Sequence, residues 1–150
     1  GKGLIPMELQ QLIQTAREQG DLSGLMGHIP YARLIGMDMR LDEAGQPLFV
    51  LPYQSKNIGN TALPALHGGV IGGFLENSAI VHLMWNRDAV EMPKTIDFSL
   101  DYLRSGRAID CYARCEVTRQ GRRIAHVTAS CWQQDPAQPV AVARVHFLLT

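Results

Sequence analysis

HGGVIGGFLENSAIVHLMWN, residues 67–86, decides the fold. Val70, Ile71, Phe74, Leu75, Ala79, Ile80, Leu83 and Met84 recur at helical spacing but cover more than one face. A helix apolar over so wide an arc is enclosed by other structure rather than laid on a surface. Gly72 and Gly73 stand inside it, and glycine costs roughly 1 kcal/mol relative to alanine in a helix interior. A sheet, a partner helix or a ligand is therefore expected to approach the backbone closely there. The start of the segment carries another glycine pair, Gly68-Gly69, and its one acid is Glu76. N–H groups at a helix start lack intrahelical partners, and the helix dipole favours negative charge beside them. A developing oxyanion could be held at Gly68 and Gly69 with no Cβ in the way. Glu76 is a candidate base or nucleophile. Its bland alternative is a polar residue at the helix edge.

Downstream, the chain alternates with a period of two. Ile96, Phe98, Leu100 and Tyr102 share one phase; Thr95, Asp97, Ser99 and Asp101 share the other. The same pattern runs through residues 109–118, 123–132 and 140–149. Four half-buried antiparallel strands are expected, one face on a core. Ser105-Gly106 and Gln120-Gly121 suit hairpin turns, and Asp135-Pro136 starts the last turn. Ala113, Ala125, Ala129, Ala141 and Ala143 recur on the core-facing phase, as a sheet wrapped closely around a helix requires.

Upstream, Leu9, Leu12, Ile13 and Ala16 form one apolar stripe on a short helix over residues 7–19, ended by Gly20. Residues 28–36 read as a short turn or helix that packs Tyr31, Leu34 and Ile35. Two strands follow, 37–41 and 48–53, joined by the turn-forming residues 42–46. Residues 54–66 are a polar loop of a length that is usually functional.

The chain has 150 residues, 46% of them apolar, and zero formal net charge. One domain over residues 1–150 with one core is expected. Zero net charge argues against nucleic acid or an anionic membrane as partner, and no apolar run is long enough to span a bilayer. Cys111, Cys115 and Cys131 lie on the apolar phase of strands without metal-ligand spacing. They read as core thiols of a reducing, cytoplasmic location, and no metal is expected.

The order of strand, strand, enclosed helix and four strands, with HGGVIGGFLENSA at 67–79, resembles the hotdog-fold acyl-CoA thioesterase family, which includes the phenylacetate-pathway thioesterase. HIPYARLIGMDM at 28–39, TIDFSLDYLR at 95–104 and EVTRQGRRIAHVTASC at 116–131 carry the resemblance through most of the chain. It implies an α+β hotdog fold: about six antiparallel strands wrapped around one long central helix, with a short N-terminal helix added. It also implies hydrolysis of an acyl-CoA thioester at sites shared between the subunits of a homodimer, further assembled as a dimer of dimers. The CoA moiety belongs to the substrate, and no cofactor is expected. The family commonly has Asp where this chain has Glu76, although one branch uses Glu. It often has Asn or Gln at a loop position occupied here by Thr61, with Asn60 one place earlier.

Spacing points to the same assembly. Glu76 lies eight residues past Gly68, about 12 Å along a helix. One thioester carbonyl cannot touch both groups of one helix, so two copies must share each centre. Thr95 and Asn77 are candidates to orient Glu76 or an attacking water, and family position favours Thr95. His67 reads as a helix-start residue beside the substrate. Arg104, Arg107, Arg119, Arg122 and Arg123, near strand ends, could hold the phosphates of coenzyme A. The departure at Thr61 leaves a second reading, an acyl-thioester binding protein without catalysis. A hotdog dehydratase or hydratase would want a catalytic histidine before the helix or an Asp-to-His pair, and His28 lies far upstream in a different element.

Overall fold

The computed structural model describes residues 5–20, 22, 25–53, 68–87 and 92–149. Helix α1 (Ile5–Gln19) ends at Gly20, whose φ of +68° is the left-handed conformation that closes many helices. Ile13 and Ala16 from its apolar stripe are buried. A single 3-10 turn, Met26–His28, leads into the short helix α2 (Pro30–Ile35), with Pro30 in its first turn and Gly36 as a left-handed cap. Ala32 and Ile35 of α2 are buried, but Leu34, expected to pack, is 66% exposed. One turn of helix has an inner and an outer side, and Leu34 falls on the outer one.

Strands β1 (Asp38–Leu41) and β2 (Pro47–Leu51) form the expected hairpin, its turn held by Asp42, whose side chain accepts the N–H groups of Ala44 and Gln46. Helix α3 (Gly68–Trp85) follows, then β3 (Lys94–Tyr102), β4 (Cys111–Gln120), β5 (Ile124–Trp132) and β6 (Ala141–Leu148). The six strands make one antiparallel sheet in the order β1-β2-β4-β5-β6-β3. Helix α3 lies across β4, β5 and β6. Ala113, Ala125, Ala129, Ala141 and Ala143 have no exposed area on the face it covers. Small side chains let helix and sheet approach; a larger one there costs about 1–3 kcal/mol by overpacking. This is the hotdog architecture.

Two expectations about β3 are corrected. Ser105-Gly106 is not a hairpin, because β3 pairs with β6 while β4 lies between β2 and β5. The chain after β3 crosses the end of the sheet. Gln133 straps it down, accepting the Arg107 N–H at 2.8 Å and donating to the carbonyls of Arg107 and Ile109 at 2.8 and 3.2 Å.

The second correction is a β-bulge. Thr95 pairs with Phe147 and Asp97 with His146, so Ile96 is an extra residue in β3. A bulge shifts the side-chain phase by one. Thr95 consequently turns to the helix-facing side with Phe98, Leu100 and Tyr102, although strict alternation assigns it to the polar face. Ile96, assigned to the core, is 56% exposed.

Candidate active site

Helix α3 buries Ile71, Phe74, Leu75, Ser78, Ala79, Val81, His82, Leu83, Met84 and Trp85. The stripe Val70, Gly72, Gly73, Glu76, Asn77 and Ile80 stays half-exposed. It faces β3, the edge strand, whose Phe98 and Leu100 are also only half-buried and whose Tyr102 is 54% exposed. The close approach expected at the internal glycines is present at Gly73, whereas at Gly72 an added Cβ would make only an ordinary van der Waals contact. A Cβ on Gly72 would sit 3.5 Å from Leu100 Cδ2, and one on Gly73 would overlap the hydroxyl end of the Tyr31 ring.

Glu76 lies on this stripe. The Thr95 hydroxyl donates to its Oε2 at 2.9 Å, a contact between helix and edge strand that exists because the bulge turns Thr95 inward. One carboxylate oxygen is thereby oriented by a neutral donor. Asn77 does not join them: its amide nitrogen donates to the Gly73 carbonyl at 2.8 Å. The Tyr31 phenol, seated against Gly73, is near enough to feel the carboxylate. Burial raises the phenol above its ordinary pKa, and the charge of Glu76 adds to that.

Gly72 against Leu100 and Glu76 against Thr95 make α3 run antiparallel to β3. Gly68 and Gly69 therefore begin the helix toward the Tyr102 end of the sheet, about 12 Å from Glu76 along the axis. The candidate arginines divide between the same two ends. Arg119 pairs across from His126, and Arg122 and Arg123 occupy the β4–β5 turn, at the end where Thr95 lies. Arg104 and Arg107 follow β3 at the opposite end, where the Arg104 N–H meets the Val140 carbonyl. The ends are about seven strand residues, roughly 23 Å, apart. All five side chains are exposed. Asn60, Thr61 and His67 lie outside the described residues.

The family model of the acyl-CoA thioesterase N-terminal domain matches residues 58–148, which include the helix, Glu76 and Thr95. The chain belongs to the acyl-CoA thioesterase family. A medium/long-chain acyl-CoA thioesterase, YigI, of Salmonella typhimurium is 27% identical over 138 residues, 82% of this chain and 89% of that protein. A solved structure from Chromobacterium violaceum is 48% identical with a TM-score of 0.78, covering 93% of this chain and 97% of that one. A phenylacetic acid degradation-related protein of Ralstonia eutropha shares the fold at 20% identity and a TM-score of 0.71, over 85% and 98% of the two chains.

Other groups in this thioesterase stand apart from the Glu76 site. Among the described residues, no cluster of three or more His, Cys, Asp or Glu is placed to hold a metal ion, and no helix is long and apolar enough to cross a membrane. The three cysteines are buried free thiols. His126 and His146 stack at 3.8 Å on the outer face of the sheet, His146 reaching Asp97 at 3.5 Å. Desolvation, His146 and Arg119, in that order, hold the His126 pKa below its ordinary value. An open pocket of about 440 Å³ lined by Tyr53, Ile109, Asp110, Tyr112 and Gln133 lies at the start of β4, away from Glu76.

The sequence marks Tyr31 only as a packing residue of the segment 28–36. The available signal was the cost of Gly73, which demanded a close neighbour without saying which residue supplies it.

Proposed function

We propose that this chain hydrolyses medium- or long-chain acyl-CoA at sites shared by two copies, with the helix start of one subunit and Glu76 of the other acting on the same thioester. The hydrogen bond between Thr95 and Glu76, set on a half-exposed helix stripe beside an edge strand, carries the reading. The acyl class follows from the relatives named for medium- and long-chain acyl-CoA.

A two-fold axis beside β3 would lay two edge strands and two helix stripes together in antiparallel sense. It would cover Phe98, Leu100 and Tyr102 with their symmetry mates. It would also bring the Gly68 end of one helix toward Glu76 of the other. Arg104 and Arg107 of one subunit and Arg119 and Arg122 of its partner would then converge from opposite ends. Guanidinium groups at such a rim suit the phosphates of coenzyme A.

The chemistry balances with water as the nucleophile. Free N–H groups at Gly68 and Gly69 polarise the thioester carbonyl. Glu76 takes a proton from water as the water oxygen bonds to the carbonyl carbon. The oxyanion rests on the helix start, the C–S bond then breaks, and the Glu76 proton passes to the departing thiolate. Thr95 holds the carboxylate in place throughout.

The test is a panel of acyl-CoA substrates of increasing chain length with detection of released thiol. Turnover is expected on medium or long chains, and Glu76→Ala is expected to lower kcat roughly a hundredfold or more. Full turnover in that variant removes Glu76 from the mechanism.

A further inference from the structure

The phenol of Tyr31 occupies the space where a side chain at Gly73 would begin. Tyr31 is carried by α2, whose neighbouring Ala32 and Ile35 are buried against the core, so the ring is set by a fixed support. Gly73 precedes Glu76 by three residues, and residues at that spacing share a helix face with Cβ atoms about 5–6 Å apart. The Tyr31 hydroxyl thus lies about one helical turn from Glu76, on the same helix face. The phenol and the carboxylate share that side of the helix, close enough for the Glu76 charge to bear on the phenol.

Two further observations fit a polar role. The ring is only half-buried, on the open stripe that bears Glu76. Its hydroxyl also has no hydrogen-bond partner among the described residues, in contrast to Thr95 and Asn77 on the same stripe.

We propose that Tyr31 is a positioning residue of the hydrolytic site: its hydroxyl, seated over Gly73, holds the attacking water against Glu76. The water gives one hydrogen to the phenol oxygen and the other to the carboxylate, which leaves a lone pair directed at the thioester carbon. Only the hydrogen bonded to Glu76 is transferred as the C–O bond forms. The phenol stays protonated, in keeping with its raised pKa beside the carboxylate charge. Gly73 is needed because any Cβ would push the ring away.

This inference rests on the hydrolase reading above, and three enzymes assayed together separate the two. Wild type, Glu76→Ala and Tyr31→Phe are compared for kcat, KM and melting temperature on a medium-chain acyl-CoA. Tyr31→Phe is expected to lose roughly tenfold or more in kcat, as misplaced reactants do, with KM and melting temperature close to wild type. Gly73→Ala, which displaces the ring, is expected to lose kcat to a similar degree. A Tyr31→Phe enzyme with unchanged kcat, or with its loss confined to KM or melting temperature, overturns the positioning role. Absence of turnover in the wild type, or full turnover in Glu76→Ala, overturns the hydrolase reading instead.

Discussion

Thr95 on β3 and Glu76 on α3 meet at 2.9 Å, hydroxyl to carboxylate, and they meet only because Ile96 is an extra residue in the strand. With a regular register Thr95 would share the outer face with Asp97, and Glu76 would lose its donor. Bulges beside active sites commonly re-aim a side chain in this way.

Thr95→Ala should therefore lower kcat by about tenfold through loss of a charge-assisted hydrogen bond, while Thr95→Ser keeps most of the rate. Deleting Ile96 should do more, since it turns the hydroxyl to the wrong face. Steady-state kinetics on the three variants, with circular dichroism to verify the fold, checks the order. Equal rates for Thr95→Ala and wild type would remove Thr95 from the site.

The edge strand gives a second expectation. Tyr102 and Leu103 are 54% and 55% exposed, and Phe98 and Leu100 are half-buried, an apolar edge that soluble proteins normally cover or charge. Phe98→Asp should shift the protein from dimer to monomer in sedimentation and abolish turnover together with the dimer. A monomer that retains the full rate contradicts a shared centre.

His82 predicts how stability depends on pH. It is buried on α3, with Nδ1 unpartnered among the described residues, and burial holds its pKa below 6.5 against a smaller opposing pull from Asp42. A histidine with a lowered folded-state pKa adds stability above the unfolded value and loses it as pH falls toward the folded value. The melting temperature should fall as pH is lowered from about 7.5 to 5, and His82→Leu should flatten that slope. His126, also lowered, contributes in the same direction and remains in the variant.

The cysteines should be inert in the native state. A hydrogen bond with Cys111, then burial, pushes the Cys131 thiol up, and burial does the same to Cys115. Thiolate is the reactive form. A thiol reagent should consequently react slowly with folded protein and titrate all three cysteines once it is denatured. Fast reaction of the native protein would contradict the buried arrangement.

Much of this was legible in the sequence, for reasons that vary by element. The enclosed helix and the strands β4, β5 and β6 declared themselves because central elements buried against one another must repeat their apolar residues without interruption. Edge and crossover features did not. Residues 95–102 alternate as a regular strand would, so the bulge at Ile96 left no trace in the pattern. Ser105-Gly106 has the chemistry of a tight turn, yet non-local pairing sends β4 to the far side of β5. Glu76 and Thr95 were both identifiable, but their contact depended on that hidden bulge. The arginines, legible in the sequence only as lying near strand ends, divide between opposite ends of the sheet because strand direction, not sequence proximity, sets their positions.

A mixing experiment tests the shared centre most directly. Glu76→Ala removes the acid, and Gly68→Pro removes an N–H from the first helical position, where proline is tolerated. Each variant alone should be inactive. Equal amounts unfolded and refolded together should regain roughly a quarter of wild-type activity, since half the dimers are mixed and each mixed dimer holds one intact site of two. A mixture that forms mixed dimers yet stays at background would contradict the account.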